Sequence, residues 1–229
     1  MLDSTTKQNL RSNKKEVKKP MKTQTPALNK KEKMANILFK IDAVKFGVYK
    51  LSTGKASPYY IDLRVIPSFP DAFREICDFY AEYITNQIGT KNFNRIAAIP
   101  VTGIVFASQV AYNLKKPFLY VRKGIKLQGR ERRVEGILAS GDKVLLVDDL
   151  VTTGLTLKKA ADAVRAEGGI VTEAIAFLDR EEGGKQLLEK NGIKLHPLLK
   201  ISEIANTLYE MGAIDEENLK TILKQIKKQ

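Results

Sequence analysis

The run Lys143-Val-Leu-Leu-Val-Asp148-Asp149-Leu-Val-Thr152-Thr153-Gly154-Leu155-Thr156 decides how this chain is read. An apolar strand, Lys143 to Val147, delivers two adjacent carboxylates to its carboxyl end. A turn rich in hydroxyls and glycine follows and opens a helix from about Leu155 to Ala166. The turn's backbone N–H groups, its threonine hydroxyls and the helix N-terminus converge on one point, an anion site suited to phosphate. Two carboxylates beside it would repel phosphate unless they serve another part of the ligand. Ribose hydroxyls, with or without Mg²⁺, are the natural partners. The plainer reading is a strand end and a capped helix with no ligand. A Walker A loop is excluded, because the Gly-x4-Gly-Lys spacing is missing.

Outward from this run, short apolar stretches alternate with helical ones. Arg95–Ile99 reads as a strand, followed by Pro100-Val101-Thr102-Gly103 and a helix through Leu114. Pro117–Val121 and Ile170–Leu178 are further strands. Such alternation predicts a parallel sheet, with ligands collecting at the carboxyl ends of its strands. Upstream, a helix is expected from Asn29 through Ala43. Phe46–Leu51 and Tyr59–Leu63 read as a hairpin turned by residues 52–58, and Asp71–Ile88 as one amphipathic helix closed by Gly89. Ile201–Gln229 reads as two helices split by Gly212, the second capped by Asp215, with a packing role.

The 229 residues carry 39 Lys and Arg against 26 Asp and Glu, a net charge of +13. Residues 1–33 contribute +7 of that excess, with ten basic and three acidic side chains. So polar a leader buries too little apolar surface to offset its ordering entropy, and disorder is expected. Its plain role is solubility; weak attraction to nucleic acid is the sharper alternative. No apolar run reaches the roughly 18 residues of a membrane span. The lone Cys77 and lone His196 exclude an intrachain disulfide and a Cys/His zinc site, and fit a reducing, cytoplasmic compartment. Any metal should therefore be a hard, oxygen-bound cation.

The Lys143–Thr156 run resembles the phosphoribosyl-pyrophosphate motif of type I phosphoribosyltransferases. The resemblance implies an α/β, Rossmann-like core with a parallel sheet, an N-terminal hood and a flexible catalytic loop. The expected units are a leader over 1–33 and a domain over 34–229, with hood 44–66, core 90–200 and C-terminal helices 201–229. Asp148 and Asp149 would hold the ribose hydroxyls, and Thr152, Thr153, Gly154, Leu155 and Thr156 the 5′-phosphate. Thr102 and Gly103 occupy the family's pyrophosphate turn. Leu155 stands where the family has a small residue.

Three further segments are similar, more narrowly, to orotate phosphoribosyltransferases. The cationic, glycine-punctuated loop after Val121 matches the pattern Arg-Lys-x-x-Lys-x-His-Gly through Arg122, Lys123 and Lys126, with Gln128 in place of histidine before Gly129. These cations would stabilise departing pyrophosphate, and closure of the loop would exclude water. Lys123 would act across a homodimer. The stretch Phe46 to Asp62 resembles the hood over the base, although Ser52 replaces a base-contacting lysine of bacterial members; Lys50 or Lys55 would compensate. Arg180, with Thr152, would bind the carboxylate of orotate; the plain alternative pairs Arg180 with Asp179 or Glu181 in solvent. The implied reaction joins orotate to phosphoribosyl pyrophosphate, with Mg²⁺ held mainly by pyrophosphate. A purine-specific transferase and a non-catalytic, RNA-binding regulator are the rivals.

Overall fold

Alternation of side chains along the central strands builds two cores, one on each face of a sheet. Ile96, Ala98, Leu145, Val147, Ile175 and Phe177 point into one apolar cluster. Their neighbours Ala97, Val144, Leu146, Ala174 and Ala176 point into the other. A strand buried on both faces needs apolar residues at both parities, as a parallel sheet requires. The computed structural model describes residues 29–50, 56–122 and 132–227.

Within them the sheet has the order β5-β4-β3-β6-β7-β8. Its strands are β3 (Arg95–Ala98), β4 (Phe118–Val121), β5 (Val134–Glu135), β6 (Lys143–Val151), β7 (Ile170–Asp179) and β8 (Lys194–Lys200). All neighbours are parallel except β4 and β5. The chain winds outward from β3 to β4, then returns to lay β6 on the other side of β3. That reversal makes a crevice at the carboxyl ends of β3 and β6, where doubly wound sheets bind ligands.

α1 (Lys30–Lys40), α2 (Pro70–Tyr83) and α3 (Thr102–Asn113) contribute to the first core; α4 (Leu155–Ala166) and α5 (Gly184–Lys190) contribute to the second. The hood is a separate antiparallel pair, β1 (Val44–Lys50) with β2 (Ala56–Ile61). Its Tyr59 packs with Ile201 and Ala205 of α6 (Ile201–Glu210) and Ile222 of α7 (Glu216–Lys227). The C-terminal helices thus form the back support of the hood. The backbone N–H of Asn218 donates to Asp215, as the capping assignment anticipates.

Several boundaries differ from the sequence reading. β6 continues past Val147 because Asp148, Leu150 and Val151 keep pairing with Ala176, Leu178 and Asp179 of β7. Both aspartates therefore lie inside the strand. Ser57 and Pro58, expected in the turn, belong to β2; the hood has only one ladder, so proline's missing N–H is tolerated on the open side. The helix expected to reach Ile88 ends as α at Tyr83 and finishes as a π turn over Ile84–Ile88, where Gly89 N–H bonds to the Ile84 carbonyl. α5 and β8 had no counterpart in the sequence reading: one is short and polar, and the other contains Pro197. The helical structure starts at Lys30, capped by Asn29, so Lys30–Lys33 of the basic leader belong to α1. There Lys30, Lys31 and Lys33 pair with Glu82, Glu203 and Glu75. Cys77 is buried, and burial pushes its thiol up to about 12. Among the described residues no helix is long and apolar enough to cross a membrane.

Candidate active site

The crevice is built by the segments that leave β3 and β6. After β3 the Pro100–Val101 peptide is cis, and Thr102 and Gly103 open α3. A Cβ on Gly103 would lie 2.5 Å from Asp148 Oδ1, so only glycine lets the two edges approach this closely. Asp148 is buried, and its Oδ1 accepts the backbone N–H of Asp149 at 3.1 Å. From below, the buried Tyr80 hydroxyl of α2 donates to the Asp148 carbonyl at 2.6 Å. These bonds fix the backbone that presents the acid pair. Burial raises the Asp149 carboxyl above the ordinary range; a hydrogen bond with Asp148 and the charge of Arg64 oppose that rise.

Thr152, Thr153 and Gly154 make the turn from β6 into α4, and Gly154 adopts a left-handed φ of 77° at the helix N-cap. Asp148, Thr152, Gly154 and Thr156 line one small depression. The underside of the turn rests on α5. A Cβ on Gly154 would meet the Gly184 carbonyl at 2.8 Å, and one on Gly184 would meet the Thr152 carbonyl at 2.6 Å. The threonine turn is thus seated backbone to backbone. Leu155, the first residue of α4, is 51% exposed and takes no part in the core.

β6 and β7 end level with each other. Val151 pairs with Asp179, and the Arg180 N–H bonds to the Val151 carbonyl at 2.9 Å. Arg180 and Thr152 therefore emerge side by side. The Arg180 guanidinium is mostly buried, 5.2 Å from the centre of the Tyr59 ring and 2.6 Å from Glu182. Its partner is neither Asp179 nor Glu181, as the solvated alternative supposed. Asp179 instead accepts the Glu181 N–H, and Glu181 accepts the Ser202 N–H of α6. Burial raises the Tyr59 hydroxyl above its ordinary value, with Arg180 acting against it.

Two parts of the site were missed by sequence reasoning. Arg64, following the hood, is held by Asp62 at 2.6 and 2.8 Å and lies 3.2 Å from the Tyr60 hydroxyl, within electrostatic reach of Asp149. No role was drawn from the sequence for this residue. Glu167, the C-cap of α4, accepts the N–H groups of Arg133 and Val134 at 2.8 and 2.9 Å and so anchors the returning stem of the cationic loop. On the outgoing stem Arg122 pairs with Glu135 at 2.9 Å and donates to the Arg132 carbonyl at 2.6 Å. Lys123, Lys126, Gln128 and Gly129 lie outside the described residues, as do Ser52 and Lys55.

A family model described as the phosphoribosyl transferase domain matches residues 70–197. An orotate phosphoribosyltransferase of Cenarchaeum symbiosum is 41% identical over 79% of this chain and 90% of its own. One from Staphylothermus marinus is 43% identical over 79% of this chain and 86% of its own. Among solved structures, the orotate phosphoribosyltransferase of Aeropyrum pernix superposes with a TM-score of 0.70 at 30% identity, covering 80% of this chain and 99% of that one. The matched span contains the turn after β3, the acid pair, the threonine turn and the arginine at the end of β7. The chain belongs to the phosphoribosyltransferase family, in its orotate phosphoribosyltransferase branch.

Proposed function

We propose that the protein transfers ribose 5-phosphate from phosphoribosyl pyrophosphate to orotate, giving orotidine 5′-phosphate and pyrophosphate, in pyrimidine biosynthesis. The observation that carries this reading is the level ending of β6 and β7, which sets the threonine turn beside a buried arginine. A donor rich in phosphate and an acceptor bearing a carboxylate would then meet at one sheet edge.

In this reading the 5′-phosphate rests on the N–H groups and hydroxyls of Thr152–Thr156, and Asp148 with Asp149 accept the ribose hydroxyls. Thr102 and Gly103 approach the pyrophosphate. Arg180 and Thr152 take the orotate carboxylate. As the bond from the sugar to pyrophosphate breaks, negative charge grows on the leaving oxygens. Lys126 and Lys123 of the loop neutralise that charge, joined by Arg122 on its release from Glu135, while Gln128 donates a hydrogen bond. Among the described residues no three carboxylate, histidine or cysteine side chains converge on a metal position. A hard cation such as Mg²⁺ fits beside two carboxylates when substrate supplies most of the oxygens; bound so, it would screen the pyrophosphate charge. No covalent nucleophile is needed.

A homodimer with Lys123 acting across it fits the exposed face of α3. Val101 at its N-cap and Tyr112 are 75% and 80% exposed, and Val105 between them is part-exposed. Cytoplasmic placement agrees with a buried, unpaired cysteine.

The test is pyrophosphate release by purified protein supplied with phosphoribosyl pyrophosphate, Mg²⁺ and one base at a time. Orotate should support release and yield orotidine 5′-phosphate, with adenine, guanine and hypoxanthine inert. Release with a purine and none with orotate would overturn the assignment. No release with any of the bases would favour the non-catalytic regulator.

A further inference from the structure

We propose that Glu182 is a positioning residue for the base, holding the Arg180 guanidinium against the Tyr59 ring in the pose that meets the base carboxylate; this rests on the orotate reading above. The turn from β7 to α5 holds three acids and one arginine at the strand end beside β6, and the geometry sorts their duties. Asp179 is spent on the Glu181 N–H at 2.8 Å. Glu181, a non-glycine residue at φ 58°, is turned away to cap α6 through Ser202 N–H at 3.0 Å. Only Glu182 of this turn reaches the guanidinium, at 2.6 Å, with the two side chains 13% and 16% exposed.

On the opposite side stands Tyr59, 1% exposed and fixed by α6 and α7 through Ile201, Ala205 and Ile222. Its ring centre lies 5.2 Å from the guanidinium carbon. Arg180 Nε and Nη2 and Glu182 Oε1 are buried, and the contact between the two side chains is an ion pair with no directed hydrogen bond. The pair is therefore held by charge and packing. An arginine clamped in this way loses little further freedom when a carboxylate arrives, which is how preorganisation strengthens binding. Glu182 also lowers the net charge of the pocket, so it sharpens the placement of Arg180 rather than adding attraction.

The experiment compares orotate with uracil, the same ring without the carboxylate, in wild type, Glu182→Gln and Glu182→Asp. Glu182→Gln should lower kcat/KM for orotate about tenfold while leaving that for uracil and the KM for phosphoribosyl pyrophosphate within about twofold. Glu182→Asp, which restores the charge, should recover most of the orotate-to-uracil ratio. In an Arg180→Lys background Glu182→Gln should cost little more, because the two act as one unit. An unchanged ratio in Glu182→Gln, an equal fall for both bases, or tighter orotate binding would overturn the inference while leaving the orotate reading intact. A wild-type enzyme with no preference for orotate over uracil would instead sink the substrate reading and the inference with it.

Discussion

A methyl group at Gly103 would stand 2.5 Å from Oδ1 of Asp148 and 3.6 Å from its Cα, so the turn after β3 and the acid pair on β6 are in contact through bare backbone. Gly103→Ala should cost about 1–3 kcal/mol, the usual penalty of overpacking. It should also raise the KM for phosphoribosyl pyrophosphate; urea melts and initial rates check the two effects. A variant with wild-type values of both would refute the contact. Arg64 acts on the same pair from the hood side. Its charge draws the Asp149 carboxyl down against the upward push of burial. In the proposed reading the ionised carboxylate is the form that accepts ribose hydroxyls, so donor binding should weaken as pH falls through the Asp149 pKa. Burial is the largest influence on Asp149, and hydrogen bonds with Asp148 and the backbone oppose it first. Arg64→Gln therefore removes the smallest of the downward pulls and should move the acid limb of kcat/KM for phosphoribosyl pyrophosphate slightly to higher pH. An acid limb that stays in place, or moves to lower pH, would separate Arg64 from Asp149. The roles of Arg64 and Glu182, unlike that of Gly103, were not legible in the sequence. Arg64 follows Asp62 like any solvated ion pair, and Glu181 and Glu182 are chemically alike. Only the left-handed backbone at Glu181 decides which of them faces Arg180.

At the scale of elements, α4 links the threonine turn at its start to the loop stem at its end. Glu167 places a carboxylate at the negative end of the helix, an unfavourable position for the dipole. Two N–H bonds from Arg133 and Val134 offset that cost. Glu167→Ala should leave these two partly buried donors unpaired, at about 1–3 kcal/mol each if water does not replace the carboxylate. Hydrogen exchange at Arg133 and Val134 should then accelerate at least about tenfold, with the β6–β7 ladder unaffected. Unchanged exchange would show that the stem is held by the β4–β5 pairing alone. Most of these elements could be read from the sequence. α4 has its boundaries where the Gly154 turn and the Gly168-Gly169 stop put them, and the two-sided apolar strands announce a parallel sheet. The end of β6 could not be read, because Asp148 and Asp149 look like a strand terminus when β7's matching length is unknown. β8 escaped notice for a related reason: proline in a strand is tolerated only at an edge, and edge position is a property of the whole sheet.

For the molecule as a whole, the doubly wound order brings the segments after β3 and β6 to one crevice, and a second, independent ladder sets Tyr59 against the arginine after β7. The hood in turn leans on α6 and α7, so the last helices of the chain support Tyr59 and, through it, Arg180. Sequence motifs are enough to single out the β6 edge and the arginine after β7 as candidates. The support behind the arginine came only from the fold, since Tyr59 and Ile222 are 163 positions apart. The most direct measurement is calorimetric titration of Mg²⁺-phosphoribosyl pyrophosphate into wild type and into the Asp148→Asn/Asp149→Asn double variant, with melting curves recorded for both. If the β6 edge holds the donor, the double variant should keep its fold and bind at least about tenfold more weakly, a loss of about 1.4 kcal/mol or more. Donor binding equal to wild type in a folded double variant would contradict it.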